Sequence, residues 1–349
     1  MVMMEIRKKL SPRLIASLDF ARAISACYVV LHHVANSHGW SHGLGLAFRF
    51  GQEAVLVFFL LSGFVIFANE RTRAIHPRGY YLRRFRRIYP ALIVSLLVST
   101  LVAVTNGNFQ EQFRWHGLFG TLLSLQDLSH LKPGVIVNPY LGNEPLWSLS
   151  YEVAFYLAFP FVLRFWLLHP SWANHAVGTA CCAGYMIYVM VPNHWALVTA
   201  YFLVWWCGAM AAEGYQRGGR DFRSIGSPLY WLLFLCGIAG ASVPLLGYRG
   251  LGFYPFLLFR HFIFSGFLLL LLFNTFGANL AQILSRFAKP AGAVASISYG
   301  LYVLHFPLLV TCHWAQSELG TAAALVMLLL LAYLSDRQLS QFLPRAPIR

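Results

Sequence analysis

The chain has 349 residues, 58% hydrophobic and 11% charged, with a mean hydropathy of +0.60 and a formal charge of +14. A soluble globular domain is about a quarter charged, so this composition excludes an ordinary soluble enzyme with a large core. The positive charge does not point to nucleic acid, because the Lys and Arg residues cluster between apolar runs, where membrane topology alone puts them.

Apolar runs of spanning length fall at 15–36, 51–69, 88–105, 147–168, 175–192, 196–212, 228–247, 253–273, 294–313 and 320–335. The expected fold class is an all-α integral membrane protein of about ten transmembrane helices, forming a single membrane domain over 1–349. With the N-terminus inside, twenty of the 26 Lys and Arg residues lie on the inner side, among them Arg7, Lys8, Lys9, Arg73, Arg220, Arg345 and Arg349. Arg49, Arg114, Lys132 and Arg249 lie outside, and Arg22 and Arg260 lie within helices. This asymmetry assigns both termini to the cytoplasm, with 1–14 and 336–349 as cytoplasmic segments and 106–146 as a long outer loop. A loop of that length is often a lid or a binding element. The first run has no small-residue cleavage site after it and is read as a mature helix. The six cysteines have no metal-ligand spacing and read as core fillers, so no metal is expected.

The first run, LDFARAISACYVVLHH, carries Asp19, Arg22, His32 and His33. Arg22 and His33 are eleven residues apart, which puts them about 20° apart around a helix and about 16 Å apart along it. The bland alternative pairs Asp19 with Arg22 at i and i+3 and leaves His33 as packing. The shared stripe and the second histidine favour a functional site, with His33 suited to act as a general base. In the second run, GQEAVLVFFLLSGF, Glu53 reads as interfacial and solvated, and Ser62 and Gly63 as small residues that let helices approach.

YYLRRFRRIYP follows, with Arg83, Arg84, Arg86 and Arg87 where a loop enters the third run. It is either a positive-inside anchor or an anion site in which Arg84 and Arg87 jointly hold phosphate. In PLWSLSYEVAFYLAFP, Ser148 and Glu152 share a face at i and i+4. A carboxylate that deep in an apolar run has to be protonated or paired. SISYGLYVLHFP places His305 three residues after Tyr302 and two before Pro307, which removes a backbone donor and can open the helix. Arg260 and His261 are adjacent and cannot share a face.

Taken together these stretches resemble the acyltransferase-3 family of bacterial inner-membrane O-acyltransferases, in its stand-alone form without a fused esterase-like domain. LDFARAISACYVVLHHV is similar to the family's opening "LDGLRgiAallVvlfH", with Arg22 and His33 in place. GQEAVLVFFLLSGFVIF resembles "G..GVDlFFvlSGFlI", matching Gly51, Phe58, Phe59, Ser62, Gly63 and Phe64. LRRFRRIYP resembles the Arg-x-x-Arg before "IyP", at Arg84, Arg87 and Pro90. WSLSYEVAFYL is similar to "WSLsvEeqFYl", at Trp147, Ser148, Glu152 and Tyr156. SYGLYVLHFP is similar to "tYslYLwHfP", at Ser298, Tyr299, Tyr302, His305 and Pro307. Two departures stand out: Leu56 replaces a frequent Asp and Ala54 a Gly.

The resemblance implies transfer of an acyl group, usually acetyl, from cytoplasmic acyl-CoA to a hydroxyl of a cell-surface carbohydrate or lipid-linked saccharide. It implies His33, Arg22 and Glu152 as the catalytic set, and Arg84, Arg87 and Arg83 as the site for the donor's phosphates. Asp19, Ser62, Trp147, Ser148, Tyr302 and His305 become their support. The 106–146 loop, with Asn138, Tyr140, Asn143 and Trp147, would meet the sugar. A transporter or flippase using the same His, Arg and Glu set as a proton relay is the rival reading. No internal repeat of the kind transporters carry is visible.

Overall fold

A computed structural model describes residues 10–39, 47–71, 77–219 and 221–344. Arg7, Lys8, Lys9, Arg73, Arg220, Arg345 and Arg349, assigned above to the inner side, lie outside the described residues. The chain begins with three long helices, α1 (Pro12–Ser37), α2 (Gly51–Glu70) and α3 (Pro77–Thr105). Two short ones follow, α4 (Phe109–Gln112) and α5 (Trp115–Leu122). Then come α6 (Trp147–Leu168), α7 (Pro170–Met190), α8 (His194–Gln216) and α9 (Ser227–Leu246). The last are α10 (Phe256–Leu272), α11 (Thr275–Leu284), α12 (Ala288–Ser296), α13 (Ser298–His305), α14 (Glu318–Tyr333) and α15 (Ser340–Phe342).

Among the described residues, seven helices are long and apolar enough to cross a membrane. The pair formed by α10 and Thr275–Ser296 makes an eighth if its 82° bend is taken as one broken span. The expected ten therefore are not all of one kind. The run at 175–192 becomes α7, outside that count, and the run at 294–313 breaks in two. Ile297 leaves helical geometry at φ −117° and ψ 9°, and a π turn at Phe306–Val310 follows α13. Pro307 has no N–H to donate inside that turn, which favours the widened backbone there. The third run also departs from expectation: α3 starts at Pro77, so the arginine cluster is helical and not a loop. Arginine is a good helix former, and its long stem can cover apolar surface while the guanidinium stays polar.

Local chemistry sets several helix starts. Ser11 Oγ accepts from Leu14 N at 3.2 Å beside Pro12 in the first turn of α1. Asn193 Oδ1 accepts from Ala196 N at 2.9 Å at the start of α8. Such caps satisfy donors that the helix itself leaves open. α8 is buried along almost all of its length and α2 packs along it. That approach depends on two glycines. A Cβ at Gly63 would stand 2.0 Å from the Trp205 carbonyl oxygen, and one at Gly208 would stand 2.1 Å from that of Leu60.

The 106–146 segment is tied to the bundle at several points. Tyr188 donates to the Pro133 carbonyl at 2.9 Å, and Gln126 Nε2 donates to that of Leu146 at 2.7 Å. Beneath it, Lys132 Nζ and Asp127 Oδ1 are 2.6 Å apart with no side-chain exposure, and Tyr151 donates to Asp127 Oδ2. The Lys132 ammonium also lies 4.2 Å from the centre of the Trp147 ring. Burial pushes the Lys132 pKa down, and the Asp127 carboxylate opposes that shift.

Two outcomes follow for stability, both read as thermal unfolding of purified protein in detergent. Gly208→Ala is expected to cost about 1–3 kcal/mol through overpacking, whereas Gly237→Ala, where a Cβ meets open space, is expected to cost nothing. Lys132→Met is expected to cost about 3–5 kcal/mol by leaving Asp127 buried without its cation, and adding Asp127→Asn to restore most of that loss. Equal midpoints for Lys132→Met and the unmodified protein would show that the pair holds nothing.

Candidate active site

A cavity of about 490 Å³ opens between α1, α2, α3, α6, α12 and α13. It follows α2 from Val55 to Ile66, about 16 Å at the rise of an α-helix. Five arginines line it, Arg22, Arg83, Arg84, Arg87 and Arg337, against two acids, Glu152 and Asp336. Ser62, Ser148, Tyr156, Tyr299 and Tyr302 add hydroxyl groups to the wall. The cavity is therefore cationic at the end near the start of α3 and hydroxyl-lined elsewhere.

Glu152 sits in this wall with two hydroxyl partners. Ser62 Oγ donates to its Oε1 at 3.2 Å, and the Tyr156 hydroxyl donates to the same oxygen. Ser62 in turn accepts from the Trp205 indole at 3.2 Å. So Ser62 is a bridge between α8 and the carboxylate, while its neighbour Gly63 does the close packing. Trp205 was not legible as a site residue, because it lies in an apolar stretch 53 positions beyond Glu152. Ser148 and Tyr302 bond to each other at 2.9 Å, and Tyr302 donates to the Pro145 carbonyl at 2.6 Å.

The arginines differ in how far they are already engaged. Arg83 is held two-pronged by Glu70, through Nε to Oε1 at 2.7 Å and Nη2 to Oε2 at 2.5 Å. Arg84 reaches Glu70 through Nη2 at 3.2 Å, lies over the Tyr80 and Tyr156 rings, and keeps a buried Nε with no protein acceptor. Arg87 faces Asp336 at 3.5 Å and lies over Tyr299. Arg22 pairs with Asp19 at 3.3 Å, as the spacing on α1 predicts, and still lines the cavity. Glu70 and Asp336 are the counterions that sequence reasoning missed. Glu70 did leave a mark, an acid closing an apolar run 13 positions before Arg83.

His33 does not line this cavity. Its ring lies 5.3 Å from that of His305, 4.8 Å from that of His32 and 5.1 Å, edge-on, from Phe306. The His305 ring lies 6.3 Å from that of Tyr302, which does line the cavity. His305 Nδ1 bonds the Leu301 carbonyl at 3.1 Å, and its buried Nε2 has no protein partner. A carbonyl can only accept, so Nδ1 carries the proton and Nε2 keeps its lone pair. The structure thus joins Arg22 and Glu152 in one space and sets His33 beyond it, on the far side of the Tyr302–His305 pair.

Three expected placements change. Glu53 is buried, not solvated: it forms an ion pair with Arg260, whose Nη2 is 3.4 Å from Oε2. Leu56, at the position of the family's frequent Asp, is fully buried. Trp147 is buried beside Lys132, outside the cavity. Of the loop residues expected to meet a sugar, Tyr140 bonds Thr100 at 2.9 Å, and the Asn143 amide donates to Ser95 at 2.9 Å and to the Val303 carbonyl at 3.1 Å. Polar side chains near a buried turn satisfy the fold first; Asn138 is the exposed one of this set.

The sequence model described as an acyltransferase domain matches residues 15–335. The chain is 24% identical over 327 residues to Nodulation protein 10 of Rhizobium leguminosarum bv. viciae, covering 84% of this chain and 83% of that protein. It is 34% identical over 146 residues to the acyltransferase MdmB of Streptomyces mycarofaciens, covering 41% and 36%. It is 22% identical over 370 aligned positions to the O-acetyltransferase OatA of Staphylococcus aureus, covering 95% of this chain and 57% of OatA. The chain thus spans little more than half the length of OatA. No solved structure matches it.

Proposed function

The chain belongs to this acyltransferase family, and from that premise we propose that it is an O-acyltransferase of the bacterial inner membrane, moving an acyl group, acetyl by default, from acyl-CoA to a hydroxyl of a cell-surface or exported carbohydrate. The observation that carries this reading is the cationic cavity, in which helices distant in sequence bring Arg22, Ser62, Arg84, Arg87 and Glu152 to one space. The arginine-rich end is assigned to the cytoplasmic side, as the distribution of Lys and Arg along the chain suggests.

A donor bearing several phosphates fits a wall with five arginines and two acids. Arg84, with an unengaged Nε, and Arg87 are the residues assigned to hold phosphate oxygens, by charge-assisted hydrogen bonds. Arg83, committed to Glu70, holds that corner in place. The thioester supplies an activated acyl carbon. In the transfer the carbon–sulfur bond breaks, a carbon–oxygen bond to the acceptor forms, and the hydroxyl proton passes to the leaving thiolate. His33 is assigned to take that proton, with the lone pair of His305 Nε2 beside it as a second acceptor. Arg22, which lines the cavity about 16 Å along α1 from His33, is assigned to position the donor from the cavity side. Glu152, positioned by Ser62 and Tyr156, shares the acid–base work.

The test gives membranes containing the protein radiolabelled acetyl-CoA and a panel of surface glycans. His33→Ala is expected to lower kcat by about 10²- to 10⁴-fold; equal label transfer by the two proteins would remove His33 from the step. Arg84→Gln and Arg87→Gln are each expected to raise the donor KM roughly 10- to 100-fold, since a hydrogen bond to a charged group contributes about 1.5–3 kcal/mol, with the acceptor KM unchanged. An unaltered donor KM in both would detach the arginine cluster from donor binding.

A further inference from the structure

Phe306, whose ring meets that of His33 edge-on, also lines a second, smaller space. This space holds about 60 Å³ and its wall includes Ser99, Asn108, Asn143, Phe306 and Pro307. Three polar atoms in that wall are buried and have no protein partner: Ser99 Oγ, Asn108 Oδ1 and Asn143 Oδ1. Ser99 is 4% exposed and Asn143 is 1% exposed, and a buried polar group left unpaired costs about 1–3 kcal/mol. The orientation of the Asn143 amide is settled by its partners. Its nitrogen faces the Val303 carbonyl and the Ser95 hydroxyl that itself donates to that carbonyl at 2.7 Å. The amide oxygen is therefore the atom left over. This small pocket adjoins a groove of about 490 Å³ beneath the 106–146 segment, the two sharing Gln112, Leu141 and Thr311.

We propose that pocket and groove together form a docking site for a neutral polyhydroxylated ring, with one hydroxyl or hydroxymethyl group entering the pocket beside Asn143, Asn108 and Ser99. The chemistry selects this class. Asn108 Oδ1 and Asn143 Oδ1 can only accept, so the ligand must present donors there. No acid lines either space, which leaves an ammonium without a counterion. An anion entering the pocket would meet two amide oxygens; the groove's basic side chains, Arg114 and His116, line the groove and not the pocket, and Arg114 already donates to the Phe113 carbonyl. A hydroxyl donates to one amide oxygen and accepts from Ser99, and the remaining space, about one water, leaves room for the donor that the other amide oxygen needs. The pocket volume equals that of about two waters, enough for a hydroxyl-bearing carbon and too small for a ring, which the groove accommodates. Phe306 touches both this pocket and the His33 ring, so the site lies next to the proposed base. Calling its occupant the acyl acceptor rests on the acyltransferase reading above; the docking site itself does not.

The experiment uses full-length protein in detergent micelles. Saturation-transfer NMR is recorded with methyl glycosides of glucose, galactose, mannose, rhamnose and N-acetylglucosamine. At least one is expected to give signals that fall fivefold or more in Ser99→Val and in Asn108→Ala, with the thermal unfolding midpoint unchanged. Signals equal in the variants and the unmodified protein, or absent with the whole panel, would mean that the pocket holds only water, and the proposal falls. Should Ser99→Val fail to fold, Asn108→Ala, which lies at the surface turn after α3, decides the matter. Label transfer from acetyl-CoA is measured in parallel. Variant-sensitive binding without transfer by the unmodified protein would leave the docking site standing and sink the acyltransferase reading. Transfer whose acceptor KM is unmoved by both variants would sink the identification of the occupant as the acyl acceptor.

Discussion

The constraint on which this structure depends is that a charge enters so apolar a bundle only with its partner. Glu70 takes Arg83 and Arg84, Glu213 takes Arg71 and Arg217, Asp336 takes Arg87, Glu53 takes Arg260, Asp127 takes Lys132 and Asp19 takes Arg22. An unpaired ion in such surroundings costs several kcal/mol, and its partner repays the cost only when the geometry is good. Among the described residues Glu152 breaks the pattern: its bonds come from the hydroxyls of Ser62 and Tyr156, with no cation within ion-pair distance. That acid shares one cavity with five arginines, of which Arg83 and Arg84 share a single carboxylate and Arg84 keeps an unengaged Nε. A charged ligand has something to contribute there.

Hydropathy made most of the helices legible, since each apolar run expected to span contains a helix. It failed where a helix is not apolar. The arginine cluster reads as a loop because charge density hides the periodicity, yet α3 begins at Pro77 and carries it. The failure at 294–313 is different in kind: the run is apolar throughout, and the break at Ile297 and the π turn at Phe306 are backbone events that composition does not record.

The site was legible to the extent that its logic is local. Asp19 with Arg22, and Ser148 on the face of Glu152, follow from helical spacing alone. What could not be read is pairing across the chain. Glu53 looks interfacial until Arg260, 207 residues later, is seen beside it. Trp205 holds Ser62 from 143 residues away. The loop residues expected to touch a sugar were chosen for their chemistry. Tyr140 and the Asn143 amide nitrogen, however, spend it on the fold, and the atom left over, Asn143 Oδ1, points to a ligand more sharply than the residue type did.

The position of His33 then follows from the two environments around it. On one side Tyr302 and His305 separate it from a wall where arginines outnumber acids; on the other Phe306 separates it from a wall of amide oxygens and a hydroxyl. A polyanion is favoured in the first and disfavoured in the second, while a neutral hydroxyl compound gains nothing from the arginines and satisfies the amides. On the proposed reading, a polyanionic donor and a neutral acceptor are sorted by these two walls on either side of one imidazole. The ring between the second site and His33 is mounted where Pro307 and the π turn loosen the helix, and a backbone with fewer regular hydrogen bonds yields more readily than an intact helix. Phe306, the ring shared by His33 and the second space, thus sits at the irregular part of this helix.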